Sequence, residues 1–216
     1  QHKGNKLYKG DLMIDGRHEP TDMQQMLFCP EKYRLGTRLG LIPSYVSPAL
    51  VEGRIGHDVM HMGYSRLDEI FDATISWYTS KDFNEAKNPL VIDEKDLAAM
   101  RSNLHEACGT ASRLMQVRGI ESVESELKME FEVPPLNRRG KTHQFVGTVD
   151  KLVTLPDTPE GFVEIVDWKF GRLQAPEQRS RNIQHGLYYF AARQLGYRVY
   201  RNWWVHMKDF IKMKRD

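Results

Sequence analysis

Glu164-Ile165-Val166-Asp167-Trp168-Lys169 is the most informative segment of the chain, because it joins a β-favouring apolar run to a carboxylate and a lysine. Side chains alternate across a strand, so Asp167 and Lys169 are predicted to lie on one face and Trp168 on the other. A similar run, Gly147-Thr148-Val149-Asp150, precedes it. Two carboxylates and a lysine on neighbouring strands suit a divalent metal and a phosphate together, which suggests hydrolysis of a phosphodiester.

Around this stretch the hydrophobic pattern changes from a helical to a strand period. Helices are predicted from 21 toward 38 and over about 50–71, 95–118 and 177–195; strands are predicted over 123–133, 143–154, 161–169 and 197–207, with turns at 137–140 and 157–161. Gly119 and Gly196 are expected to end the last two helices. In the first strand, apolar residues are predicted on one face and Glu124, Glu126 and Glu130 on the other. The order of elements indicates an α/β (α+β) core with a mixed sheet.

Composition sets the broad class of the protein. At 216 residues and 25.2 kDa the chain fits one domain over 1–216, with a helical region over about 1–120 and a sheet core over about 121–207. No apolar run approaches the roughly 18 residues of a membrane span, and the N-terminus does not resemble a signal peptide. Two cysteines cannot form a disulfide framework, so a reducing, cytoplasmic location is expected.

Basic residues are the expected nucleic-acid contacts, although the net charge of +2 does not argue for nucleic acid by itself. Three local clusters are candidates: Arg138, Arg139 and Lys141; Arg172, Arg179 and Arg181; Lys208, Lys212, Lys214 and Arg215. The alternative for each cluster is a solvated loop or face.

Asp150 and Asp167 are the first candidates for chemistry. Carboxylates at strand ends are often only turn residues. However, Gly147 leaves space near Asp150, and Asp167 ends an Ile-Val run whose burial would make an unpaired carboxylate costly. A Mg²⁺ or Mn²⁺ ion would offset that cost, since such cations prefer oxygen ligands.

Lys169 would lie beside this metal, where its charge could position the attacking water and stabilise the transition state. The alternative is a surface cation or an ion pair with Asp167. A glutamate of the first strand could support the metal if its face borders the site. We select Glu126, with Glu130 as the second choice.

Two helical pairs complete the candidate residues. His57 lies four residues after Gly53, and its imidazole could ligate the metal. His57-Asp58-Val59-Met60-His61 also resembles a degenerate zinc-protease helix, but Asp58 is a methylene shorter than the required glutamate and no clear third ligand follows. Gln184 and Tyr188 share a helix face and could orient water or contact DNA, whereas core packing is their alternative role.

These pieces together resemble one known arrangement. Gly53-x-x-x-His57, Glu126, Gly147-x-x-Asp150, Asp167-Trp168-Lys169 and Gln184-x-x-x-Tyr188 occur in the order found in the PD-(D/E)XK nuclease superfamily. Within it, the chain is similar to the RecB-type exonuclease branch, which includes phage and CRISPR-adaptation nucleases. The motifs cover about residues 20–195. The resemblance implies a restriction-endonuclease-like αβββαβ core with an added N-terminal helical region.

The resemblance also implies a role for each residue. His57, Asp150, Asp167 and the main-chain carbonyl of Trp168 would bind the metal, with Lys169 as the catalytic lysine, Glu126 supporting the site, and Gln184 and Tyr188 organising it and its DNA contact. Arg172, Arg179, Arg181 and Tyr188 would contact nucleic acid. Family members usually carry threonine where this chain has Phe170.

One family feature is missing from the sequence. Several relatives hold an iron–sulfur cluster with one early and three late cysteines. Cys29 stands near the early position, but no cysteine follows Cys108, so a four-cysteine cluster within this chain is not expected. A phage or stand-alone exonuclease is the nearer comparison.

The sequence therefore predicts a divalent-metal-dependent deoxyribonuclease, acting as an exonuclease on single-stranded DNA ends, in phage biology or DNA repair and recombination. DNA is the expected partner, with recombination or replication proteins as further partners and no membrane. Two alternatives remain: a non-catalytic nucleic-acid-binding or assembly module of the same fold, and a structure-specific endonuclease.

Overall fold

The architecture was analysed in a computed structural model, which describes residues 17–18, 31, 34–35, 46–80, 90–133, 143–171 and 183–212. The helices named here are α1 (Pro48–Met62), α2 (Leu67–Thr79), α3 (Glu94–Val117), α4 (Gln184–Gln194) and α5 (Met207–Lys212), with a 3₁₀ turn at Tyr64–Arg66. The strands are β1 (Arg17–His18), β2 (Glu121–Val133), β3 (His143–Thr154), β4 (Val163–Lys169) and β5 (Val199–His206). The strand order is β1-β3-β4-β5, with β2 paired to β3. The predicted mixed α/β fold is confirmed.

The chain divides into two compact units. The first contains Gln1–Ile42, Lys128–Thr148 and Pro176–Tyr197, and the second contains Pro43–Leu127, Val149–Ala175 and Arg198–Asp216. The single domain expected over 1–216 stays a prediction.

The first unit contains a parallel strand pair and an aromatic cluster. β1 runs parallel to the start of β3, with Arg17 opposite Gln144 and His18 opposite Phe145. The ring of Phe131 stacks on Phe145 at a centroid distance of 5.4 Å and contacts Phe190 of α4 at 5.2 Å. Packing of aromatic rings at these distances stabilises the hydrophobic interior of this unit.

The second unit holds the larger hydrophobic core. Here the end of β3 pairs antiparallel with β4, and β4 pairs in parallel with β5. α1, α2, α3 and α5 supply the buried helical side chains of the core, and the two strands β3 and β4 supply its sheet side. Members of this core include Val51, Ile55, Val59, Leu104, Cys108, Val153, Val166, Trp168 and Met207. The residues that end β4 are therefore built on a packed layer.

Two predicted helix ends are confirmed. Gly119 and Gly196 both have a positive φ, 63° and 91°. After Gly119 the amide of Ile120 donates to the carbonyl of Met115 at 2.9 Å, and after Gly196 the amide of Tyr197 donates to Ala192 at 3.0 Å. Both bonds satisfy last-turn carbonyls, as expected for a glycine cap.

The single helix predicted over about 50–71 is wrong, because the chain breaks at Gly63. Gly63 adopts φ 109° and ψ 142°, and its amide donates to the carbonyl of Val59 at 2.8 Å. α1 ends there, and α2 begins only after the 3₁₀ turn. Glycine reaches this conformation without a steric penalty, so an apolar pattern that continues on both sides does not reveal the break.

The alternation predicted for β2 holds in its second half and fails in its first. Lys128 and Glu130 are exposed and Met129 is buried, as predicted. Glu126, however, has a left-handed φ of 53°, and Val123 is 45% exposed. A residue in this conformation interrupts the two-residue period of a strand, so side chains before and after it do not share faces as the sequence suggested.

Some predictions lie outside the described residues. These are the helix from Thr21 toward Arg38, the turn at 137–140, Cys29, and the basic residues Arg138, Arg139, Lys141, Arg172, Arg179, Arg181, Lys214 and Arg215. Among the residues that are described, no helix is long and apolar enough to cross a membrane.

Candidate active site

The site begins where β3 and β4 separate. The last backbone pair between these strands is Lys151 opposite Val166. Beyond this pair, the main-chain N–H of Trp168 in β4 donates to Oδ2 of Asp150 in β3 at 2.7 Å. A carboxylate thus takes the place of a backbone acceptor, which brings the side chain of Asp150 to the end of the strand pair.

His57 of α1 also contacts Asp150. Its Nδ1 lies 3.4 Å from Oδ2 of Asp150, and the side chains are 33% and 11% exposed. Burial acts to lower the pKa of His57, but the hydrogen bond to Asp150 and the charges of Asp150 and Asp167 outweigh it, so this pKa is raised. The sequence-predicted residues His57 and Asp150 are therefore brought together.

Asp167 and Lys169 form the second contact of the site. Nζ of Lys169 lies 2.5 Å from Oδ2 of Asp167, whose side chain is only 2% exposed. Among the described residues Oδ2 has no hydrogen bond of good geometry, so this contact is an ion pair. Burial raises the pKa of Asp167 to about 6, and the nearby charge of Asp150 adds to the effect while Lys169 opposes it. A buried carboxylate whose pKa is raised in this way is typical of a functional position.

Glu126 lies within electrostatic reach of this group. Its pKa is raised, mainly by burial and then by the charge of Asp150, against the opposing effects of His61 and His57. Its left-handed backbone is unusual for a non-glycine residue and is often found at functional positions. Glu130, the second choice, is exposed and belongs to the first unit.

The side chains gathered here fit a divalent cation in their chemistry. Carboxylate oxygens and an imidazole nitrogen suit Mg²⁺ or Mn²⁺, and Asp167 is a buried carboxylate paired with Lys169. Within the described part of the chain, no three His, Cys, Asp or Glu side chains converge as a complete metal-binding group. The residues fit the cation chemically, and their roles as ligands, including that of the Trp168 carbonyl, stay predictions.

A family model for the PD-(D/E)XK nuclease superfamily matches residues 20–213.

The chain belongs to the PD-(D/E)XK nuclease superfamily.

Members of this superfamily are generally nucleases that use divalent metals, typically Mg²⁺, and the nuclease fold implies DNA as the substrate. The match does not distinguish the RecB-type branch from others. No curated protein matches the chain.

The Gln184–Tyr188 pair of this nuclease-superfamily chain lies in the first unit, at the start of α4. Nε2 of Gln184 donates to the hydroxyl oxygen of Tyr188 at 2.6 Å, and Tyr188 is 5% exposed. The pair is therefore formed as its helical spacing predicted. Its role in organising the site and contacting DNA stays a prediction.

Sequence reasoning selected Gly53 and missed Gly56. A Cβ atom at Gly53 would meet nothing within 4 Å, whereas one at Gly56 would lie 2.2 Å from the ring of Phe170. That ring also contacts His57, at a centroid distance of 5.5 Å. Gly56 thus lets α1 approach the residue that follows Lys169, and this contact holds His57 against the end of β4. In the sequence, the only signal for the contact between Gly56 and Phe170 was that Phe170 stands where family members usually carry threonine.

Lys151 was also missed. Its Nζ donates to the carbonyl of Met60 at 3.4 Å, near the end of α1, and its burial lowers its pKa. A lysine that caps the last turn of a helix fixes the helix end. Lys151 and Asp150 are consecutive, so β3 holds α1 at two points, through Met60 and through His57.

Glu164 is a buried carboxylate on the same strand as Asp167, and it is fully satisfied. It accepts hydrogen bonds from Arg201, Thr158 and Trp203, and Arg201 also pairs with Asp157 at 2.9 Å. Although burial acts to raise its pKa, these donors lower it overall. Glu164 is a structural carboxylate, in contrast to Asp167.

Proposed function

We propose that the protein is a divalent-metal-dependent deoxyribonuclease that acts as an exonuclease on single-stranded DNA ends. One observation carries the proposal: Asp150, Asp167 and Lys169 meet where two strands separate, and the buried Asp167 has a raised pKa. Perturbed carboxylates next to a cation are typical of catalytic sites. The superfamily supports nuclease activity, and the similarity of the motifs to the RecB-type branch supports exonuclease activity.

In this proposal Asp150, Asp167, His57 and the carbonyl of Trp168 bind Mg²⁺ or Mn²⁺. The bound cation would lower the pKa of a water molecule and neutralise charge on the phosphate oxygens. Asp150 is held for this role by two contacts on one oxygen, Oδ2, which leaves Oδ1 without a described partner.

Lys169 is the proposed catalytic lysine. Its Nζ is held by Asp167 beside the strand end and lies 5.9 Å from the ring centroid of Trp204. From this position its ammonium would orient the attacking water and stabilise the charge that develops on the phosphate as the leaving oxygen departs.

Other residues act around this centre. Glu126 would support the metal site through its carboxylate, and Gln184 and Tyr188 would organise the site. Arg172, Arg179, Arg181 and Tyr188 would contact the DNA backbone or bases, so we expect binding to weaken steeply with salt.

Two other functions are considered. A structure-specific endonuclease would use the same residues. A non-catalytic binding module would not need Asp150, Asp167 and Lys169, and their retention together favours an enzyme.

The test is cleavage of end-labelled linear and covalently closed circular single-stranded DNA, with Mg²⁺, Mn²⁺ or EDTA. Metal-dependent loss of the linear strand alone would support the exonuclease, and the label position would give its polarity. Cutting of the circle would instead indicate an endonuclease. Salt-sensitive binding without cutting would favour the non-catalytic module.

A matched pair of variants tests the site itself. Lys169→Ala should abolish turnover and keep DNA binding, whereas Lys95→Ala, at an exposed position of α3, should behave as the wild type. Normal cutting by Lys169→Ala would show that the site is assigned wrongly.

A further inference from the structure

A cavity lies between α1, which carries His57, and α2. It has a volume of about 320 Å³ and is lined by Arg54, Asp58, Ala73, Thr74, Trp77 and Tyr78. Arg54 and Asp58 flank His57 on α1, within about one helical turn. The cavity therefore opens on the helix that delivers His57 to Asp150.

Trp77 lines this cavity with a large aromatic side chain. It is 53% exposed, although tryptophan is usually well buried. Its ring meets that of Tyr78 at a centroid distance of 4.9 Å and an angle of 74°, and Tyr78 is itself buried. Ala73 and Thr74 lie one turn before Trp77, and their small side chains leave room next to the indole. A planar group can therefore lie against Trp77.

Arg54 supplies a cation to the same cavity. Its side chain is 65% exposed, and its Nε donates to Oδ2 of Asp58 at 3.0 Å. The described residues give its two terminal nitrogens no partner. Asp58 thus orients the guanidinium and leaves its outer edge available to a phosphate, which arginine binds with two parallel hydrogen bonds.

Glu126 interacts electrostatically both with this cavity and with the candidate site. The charge of Glu126 acts on Arg54, and the charge of Asp58 acts on Glu126. Glu126 is in turn coupled to Asp150 and His57. An aromatic surface and an available guanidinium beside catalytic carboxylates are the two components that bind an unpaired nucleotide.

We propose that Trp77 and Arg54 form a nucleotide-binding subsite that stacks one unpaired base on the indole and holds an adjacent phosphate on the guanidinium. The inference rests on the proposed function and deepens it, because it specifies a strand with unstacked bases as the ligand. A base inside a duplex is already stacked on its neighbours and cannot lie on Trp77, so the subsite favours single strands.

The first test measures binding of a labelled single-stranded oligonucleotide by fluorescence anisotropy, in the Lys169→Ala background so that the strand is not cut. Trp77→Ala should weaken binding roughly 5- to 150-fold, the range that stacking of one base on an aromatic ring contributes. Trp77→Phe, which keeps a ring, should lose much less. Val117→Ala serves as the control, since Val117 is 84% exposed at the end of α3. Thermal unfolding of each variant shows that the fold is kept.

A single abasic nucleotide makes the test specific to stacking. The abasic position is moved along the oligonucleotide in both the wild-type and the Trp77→Ala chain. At one position the loss caused by the missing base should disappear in Trp77→Ala, because both changes remove the same contact. Additive losses at every position would overturn the subsite.

Arg54→Gln tests the phosphate contact independently. It should reduce the slope of log affinity against log salt by about 0.7, as expected for one phosphate contact on a single strand. The matched control is Arg66→Gln, because Arg66 is 48% exposed and is also paired with a nearby acid, Glu69. Equal slopes for both variants would contradict the role of Arg54.

Failure of the subsite and failure of the proposed function give different results. If wild-type protein cuts and binds single strands while Trp77→Ala and Arg54→Gln match their controls, the subsite is wrong and the nuclease stands. If wild-type protein neither binds nor cuts single-stranded DNA, both are wrong.

Discussion

The main-chain N–H of Trp168 donates to the carboxylate of Asp150 across the gap between two strands, at 2.7 Å. The acidic residue of one strand therefore fixes the backbone of the next, immediately before Lys169. The same carboxylate oxygen contacts His57 at 3.4 Å. Asp150 is thus a structural link as well as a proposed metal ligand, and variants can separate these two roles.

Asp150→Asn and Asp150→Ala should both abolish cleavage but differ in stability. Asparagine keeps an oxygen that accepts from Trp168, whereas alanine leaves this N–H without its acceptor. The free energy of unfolding of Asp150→Ala should therefore be lower than that of Asp150→Asn by about 1–3 kcal/mol. Both variants remove the same charge, so the comparison cancels its effect. Denaturant unfolding measures the difference, and equal stabilities would show that the hydrogen bond contributes nothing.

Asp167→Asn should remove activity and increase the free energy of unfolding at pH 8, by up to roughly 3 kcal/mol. Burial raises the pKa of Asp167 from 3.8 to about 6, so the folded state binds its proton more tightly than the unfolded chain does. The wild type therefore loses stability as the pH rises from about 4 to about 6, and the variant lacks this loss. Unfolding at pH 4 and pH 8 measures it.

The same variant tests the proposed cation without an activity assay. Added Mg²⁺ or Mn²⁺ should raise the melting temperature of the wild type at pH 8 but not that of Asp167→Asn, because a ligand stabilises only the state that binds it. An equal increase in both proteins would place the cation elsewhere.

Glu164→Gln, on the same strand as Asp167, should lower the free energy of unfolding, whereas Asp167→Asn should increase it. Glu164 is fully buried and holds Arg201, Thr158 and Trp203, so loss of its charge should destabilise the fold by roughly 3 kcal/mol. Its lowered pKa means that this stabilisation is present above the ordinary value of 4.5 and is lost as the pH falls through the folded value. Cleavage per folded molecule should be unchanged. A large drop in turnover with intact stability would contradict this structural role.

Gly56→Ala should lower activity, and Gly53→Ala should not. The new Cβ at position 56 would lie 2.2 Å from the ring of the buried Phe170, so the ring and the adjacent His57 must shift. We expect a cost of about 1–3 kcal/mol from overpacking. At position 53 the space is open, so alanine should stabilise α1 by up to about 1 kcal/mol. Unfolding and cleavage assays compare the two variants. Adding Phe170→Leu to Gly56→Ala should restore stability and activity, because the smaller side chain makes room for the new Cβ. Equal behaviour of both alanines would argue against the contact.

The features that the sequence predicted are those that depend on neighbouring residues. β-Favouring apolar runs located β3 and β4, glycines located the ends of α3 and α4, and the spacing of Asp167 and Lys169 placed both side chains together. Each of these signals acts over a few residues, where backbone preferences and side-chain periods decide the structure.

The features that it missed depend on distant contacts. Gly56 needs a glycine because of Phe170, which lies far along the chain, and nothing around Gly56 indicates this. Glu164 is buried because Arg201 and Trp203 of β5 donate hydrogen bonds to it, and its neighbours in the sequence do not indicate these partners. Tertiary partners, which one sequence without its fold does not show, determine both.

The backbone of Glu126 has a consequence for engineering. An L-residue in the left-handed region carries a penalty of roughly 1–2 kcal/mol, which glycine avoids. A search for heat-resistant variants that scores only survival of the fold would therefore favour glycine at this position and discard the carboxylate beside Asp150. Selection for thermostability and selection for DNA cleavage should diverge at this residue.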